Sequence, residues 1–73
     1  MTQDTAPDNQ TPPIISAFLN IGTAIGDCES ARAAWVDDNW NDCLMWINNA
    51  IAQLESARSK ISAHQELEKS ENQ

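Results

Sequence analysis

The stretch Ala33-Ala34-Trp35-Val36-Asp37-Asp38-Asn39-Trp40-Asn41-Asp42-Cys43-Leu44 decides the fold, because it holds the break between two apolar patterns of helical period. Upstream of it, Ile14, Phe18, Ile21, Ile25, Cys28, Arg32 and Trp35 recur at alternating steps of four and three residues. Downstream, Trp40, Leu44, Ile47, Ile51, Leu54, Arg58 and Ile61 do the same. That spacing lines one face of an α-helix. Asn39 suits the N-cap of the second helix, and Asp42 places a carboxylate three residues later, near the open N–H groups of the first turn. The first helix starts after Thr11, a possible cap, with Pro12 and Pro13 in the turn where no N–H donor is needed. Helices are expected over 13–36 and 40–65, in one hairpin domain of residues 13–66. Residues 1–12, rich in Thr, Gln, Asp, Asn and Pro, read as a disordered tail, and residues 67–73 as a frayed polar tail.

The two stripes pair in antiparallel register if the turn lies at Asp37 to Asn39. Ile14 then meets Ile61, Ile21 meets Leu54, Ile25 meets Ile51, Cys28 meets Ile47, Arg32 meets Leu44, and Trp35 meets Trp40. The expected class is therefore all-α, an antiparallel two-helix hairpin packed in coiled-coil fashion. The apolar arc of the second helix, from Leu44 through Ile47 to Ala50, Ala57 and Trp46, spans roughly 160°, wider than one partner helix covers. Gly22 and Gly26, one turn apart, leave room for a close helix or a bulky side chain. A chain of 73 residues has a thin core and usually needs a staple or a second copy. We expect a homodimeric four-helix bundle, with Phe18, Ile47, Ala50, Ile51, Leu54, Ala57 and Ile61 at the dimer interface.

Eleven acidic residues against four basic ones give a net charge of −7, which opposes direct contact with nucleic acid or anionic membrane and favours basic partners. No stretch approaches the length of a membrane span and the N-terminus lacks the pattern of a signal peptide, so a cytoplasmic location is expected. Chemistry has few candidates. Cys28 and Cys43 are misaligned by about 7 Å in the inferred register and read as small buried residues, not as a disulfide. His64 is the single histidine and reads as solvated; it completes no zinc-ligand spacing. The run from Asp37 to Asp42 echoes a calcium loop, but its sixth position is Asp42 where glycine is needed and its twelfth is Asn48 where a bidentate glutamate is needed. No nucleophile–base–acid set and no phosphate loop can be assembled. The expectation is a protein without catalytic activity, metal or cofactor.

All three tryptophans fall within twelve residues around the turn. Trp35 and Trp40 read as closing the turn end. Trp46, beside Met45, reads as an interface anchor near an acidic rim that includes Asp27, Glu29, Asp37, Asp38 and Asp42. The expected partner-binding set is Trp46, Met45, Trp40, Asp37, Asp38 and Asp42, facing a protein with a basic surface. The run Trp40-Asn41-Asp42-Cys43-Leu44-Met45-Trp46-Ile47-Asn48-Asn49-Ala50 resembles the second helix of small phage-encoded helical-hairpin inhibitor proteins of the quorum-sensing anti-activator type. The resemblance covers those eleven residues and implies a dimeric hairpin that sequesters a regulator, or blocks a machine, of a bacterial host cell. Two other readings stand beside it. One is a nucleic-acid-mimicking anti-CRISPR or anti-restriction decoy. The other is an oligomeric sponge for a signalling nucleotide, with Arg32 and Arg58 as the phosphate-holding residues.

Overall fold

A computed structural model describes residues 12–71, with side chains to residue 69. The expected tail of residues 1–12 lies, but for Pro12, outside the described residues. Helix α1 spans Pro13–Val36 and helix α2 spans Trp40–Glu71, packed against each other as a hairpin. Among the described residues the chain is all-helical. Pro12 holds the N-cap position of α1 in an extended conformation, and its carbonyl oxygen accepts from the N–H groups of Ile15 and Ser16, both at 3.0 Å. Helix α2 runs to Glu71, past the expected end near residue 65. Pairs one turn apart support the extension: His64 Nε2 lies 3.2 Å from Glu68 Oε2, and Lys69 Nζ lies 3.9 Å from Glu66 Oε2.

The turn is closed on both sides by backbone and side-chain bonds. Asn39 N–H donates to the Ala34 carbonyl (2.9 Å) and Asp38 N–H to that of Trp35 (3.1 Å). Asp38 itself adopts a left-handed conformation with φ of 60°. This is the Schellman pattern of helix ends, with an aspartate where glycine is usual. Helix α2 then opens as expected: Asp42 N–H donates to Asn39 Oδ1 (3.2 Å), and Asn39 Nδ2 donates to Asp42 Oδ2 (2.9 Å). Asn39 is thereby both the last residue of one cap and the first of the next.

The packing between the helices differs from the expected one. The buried residues are small: Ala17, Ala24, Ala31 and Ala34 on α1, and Cys43, Ala50 and Ala57 on α2. Ala17, Ala24 and Ala31 repeat every seven residues, as do Cys43, Ala50 and Ala57. The Cys43 thiol donates to the Ala31 carbonyl oxygen at 3.4 Å, which sets the register and brings Ala24 level with Ala50 and Ala17 level with Ala57. A heptad of methyl groups lets two helices approach at the short end of the usual 8–10 Å interaxial range. One flank of this seam is polar. Asn20 Nδ2 donates to Gln53 Oε1, and Lys60 Nζ donates to Ser16 Oγ and Asn20 Oδ1, both at 2.7 Å. Asp27 is also buried there.

The bulky stripes therefore do not oppose each other across the hairpin. From Phe18 on α1 and Leu44 on α2 onward, each of their members stands one or four residues after a seam residue, as Phe18 and Ile21 follow Ala17, and Leu44 and Ile47 follow Cys43. Such positions lie on the flank of a helix, not on its contact line. The expected pairs run in nearly the right register but face the wrong way, because the alanines had already taken the contact line. Cys28, expected to be buried, is exposed for this reason; it and Cys43 are both free thiols. Gly22 and Gly26 are also exposed, with nothing within 4 Å of a Cβ built on either, so the close approach expected there is not made within the hairpin.

An L-residue in the left-handed region costs on the order of 1 kcal/mol, and Asp38 adds negative charge at the negative end of α1. Asp38→Gly should therefore raise the stability of the hairpin by about 1 kcal/mol, read as a higher midpoint in urea or thermal unfolding followed by circular dichroism. A lower midpoint would show that the aspartate side chain stabilises the turn.

Candidate protein-docking face

Both bulky stripes emerge on the same side of the hairpin. In an antiparallel pair, the flank that follows the seam on one helix lies beside the equivalent flank of the other. The contact between Trp35 and Trp40, with ring centroids 6.2 Å apart and planes at 75°, marks the end of that shared face at the turn. From there Ile25, Ile21 and Phe18 continue along α1, while Leu44, Ile47, Ile51 and Leu54 continue along α2, all of them exposed. Phe18 is 72% exposed and Trp35 62%. The opposite flank carries Ser16, Thr23 and Ser30 on α1 and Asp42, Asn49 and Ser56 on α2. The hairpin is thus two-sided, with an apolar front and a polar back flank on either side of the alanine seam.

The size of the front face separates it from ordinary surface. Nine large side chains, each exposing on the order of 100 Å², present roughly 900 Å², whereas the largest apolar patch on a monomeric protein is usually about 300–600 Å². It also matches the roughly 800 Å² that each partner contributes to a standard protein–protein interface. No large side chain is fully buried in the hairpin. An alanine methyl placed in the seam contributes roughly 0.8 kcal/mol, against roughly 1.5–3 kcal/mol for a fully buried Leu or Ile.

The residues expected at the sites divide between the seam and the face. Phe18, Ile47, Ile51 and Leu54 are exposed on the front, and Ile61 at its open end is half-buried. Ala50 and Ala57 are 4% and 2% exposed, because the seam has taken them, so neither can reach a second copy. Trp46 is a further correction. It is half-buried against the cluster of Ala31, Ala34 and Cys43, and acts as the largest residue of the hairpin's own core instead of an outward anchor. The exposed aromatic pair is Trp35 with Trp40, at the turn end beside Asp37 and Asp38. Met45 and Asp42 are exposed as well, Asp42 being tied into the N-cap of α2. Trp35 and Trp40 meet at the turn end where the sequence places them, but on the exposed flank of the alanine seam.

No protein-family model, curated protein or solved structure matches this chain. The site therefore rests on its own chemistry. A shallow concavity of about 180 Å³ on α2, lined by Ile51, Leu54, Glu55 and Arg58, falls below the roughly 300–1,000 Å³ of small-molecule sites. Among the described residues no three His, Cys, Asp or Glu side chains converge as metal ligands. Arg32 and Arg58 stand at opposite ends of the shared length, some 24 Å apart along the axis at 1.5 Å per residue, so one hairpin cannot bring both to one phosphate group. No helix among the described residues is long and apolar enough to cross a membrane.

The three tryptophans should separate by stability. Trp46→Ala opens a cavity against the seam and is expected to cost about 2–3 kcal/mol, whereas Trp40→Ala removes one exposed edge contact and should cost about 1 kcal/mol or less. Urea titrations of the two variants compare them; equal losses would contradict the placement of Trp46.

Proposed function

We propose that this chain is a non-catalytic docking protein that acts as a homodimeric four-helix bundle and binds, and thereby inhibits or sequesters, another protein with a basic surface. The observation that supports this reading is the front face. An apolar surface of interface size on so small a chain is what an obligate association leaves exposed when only one copy is considered. The turn end supplies the second surface: the exposed Trp35–Trp40 edge with Asp37, Asp38 and Asp42 around it combines an aromatic anchor with acidic groups suited to Arg or Lys on a partner.

The resemblance of residues 40–50 to phage hairpin inhibitors of the anti-activator type agrees with this reading and suggests a bacterial regulator or defence machine as the target. A decoy that mimics nucleic acid is the second reading, favoured by the charge of −7. The absence of a paired phosphate site on one hairpin leaves the nucleotide sponge with less support.

Affinity capture from a bacterial lysate tests the proposal. The unaltered protein should retain a partner at low salt that Trp40→Ala combined with Asp37→Lys releases by tenfold or more. Retention unchanged in that variant, at equal folded concentration, would sink the docking site. A retained protein that nucleic acid competes away would favour the decoy.

A further inference from the structure

We propose that a second copy of this chain covers the apolar front face head to tail, so that the turn of each copy lies over the open end of the other. This arrangement rests on the homodimer put forward above and adds to it which face pairs and in which direction. Two observations carry it, the area of the face and the distribution of charge along the hairpin.

Setting aside Trp35 and Trp40 at the turn, the other seven side chains of the face present about 700 Å² per copy, close to the roughly 800 Å² that each side of a standard interface contributes. A second copy brings an identical apolar face of the same length, which a two-fold axis lying between the two faces, perpendicular to the hairpin and at the level of Ala24 and Ala50, would lay against the first. Leu44, Ile47 and Ile51 of one copy would then pack on the front face of the other, forming a second apolar layer beside the alanine seam.

Charge decides the direction. In the turn half of the hairpin, residues 27–47, five acids (Asp27, Glu29, Asp37, Asp38 and Asp42) stand against Arg32, a net of −4. In the open half, residues 13–26 carry no charge, and residues 48–71 carry Glu55, Glu66, Glu68 and Glu71 against Arg58, Lys60 and Lys69, a net of −1. Stacking turn upon turn sets −4 beside −4. Stacking turn upon open end sets −4 beside −1 twice, a much weaker repulsion, so the head-to-tail direction is favoured. The extension of α2 beyond residue 61 passes the partner's turn with Ser62, Ala63 and His64 level with it, and Glu66, Glu68 and Lys69 follow within about 8 Å along the axis. Arg32 and Arg58 do not discriminate, since each meets an arginine-bearing level in either direction. The consequence is a dimer with its two acidic, tryptophan-bearing ends at opposite poles, able to engage two partner molecules or two sites on one assembly.

The experiment places one spin label per chain at the end of α1 and measures the distance between copies. Val36→Cys is suitable because Val36 is exposed and uncharged, in a background of Cys28→Ser and Cys43→Ala, the second of which keeps the small-residue heptad. Light scattering on the same sample should give twice 8.1 kDa. Turns at opposite poles predict a separation of roughly 35 Å from the helical rise, and turns at the same pole about 20 Å or less from helix spacing. A dimer with the long distance supports the arrangement. A dimer with the short distance overturns it while leaving the homodimer standing, and a monomer at micromolar concentration overturns the homodimer reading itself.

Discussion

Over most of their shared length the two helices meet through methyl groups and one thiol, and that close approach governs the rest of the structure. A heptad of Ala17, Ala24 and Ala31 against Cys43, Ala50 and Ala57 leaves no space for a larger side chain on the contact line. Isoleucine, leucine and tryptophan, which carry most of the available hydrophobic energy, are displaced to the flanks. Because the chain is antiparallel, both displaced stripes come out on one side. The same geometry that closes the hairpin thus builds an apolar face outside it.

That division explains why so small a fold can be well ordered locally while burying so little. The turn is fixed by the Schellman bonds at Asp38 and Asn39 and by the mutual bonds of Asn39 and Asp42. The far end is held by Lys60, Ser16, Asn20 and Gln53 on the polar flank. These contacts set register and direction. They bury little apolar area, which in a short chain is the term that must offset conformational entropy. The proposed association through the front face would supply that term and leave the acidic turn as the part of the molecule able to choose a partner.

Much of this was legible in the sequence, and the part that was not has a physical cause. Two helices, the turn at Asp37 to Asn39, the Asn39 cap and a register close to the observed one all follow from spacing and capping chemistry. Which face packs within the chain did not follow. Hydrophobic periodicity is dominated by large residues, so the stripes through Ile21 and Ile47 outweighed the alanine heptads beside them, although those heptads were equally periodic. Two parallel apolar stripes on one helix mean two contacts, and size alone does not tell which is internal. The misplacement of Ala50, Ala57, Trp46 and Cys28 came from that one choice, and exchanging the stripes corrects all four. The end of α2 was set too early because its last turns are stabilised by pairs such as His64 with Glu68, not by an apolar pattern.

The central claim, that alanines and not the bulky stripes close the hairpin, is tested most directly by cross-linking within the chain. In a background of Cys28→Ser and Cys43→Ala, the pair Ala24→Cys with Ala50→Cys should oxidise readily to an intrachain disulfide, seen as faster migration on a denaturing non-reducing gel. The pair Ile21→Cys with Leu54→Cys should not, since both side chains stand exposed on the flank and leave the contact line instead of converging across it. Rapid intrachain closure of the second pair, with the first remaining open, would contradict the account.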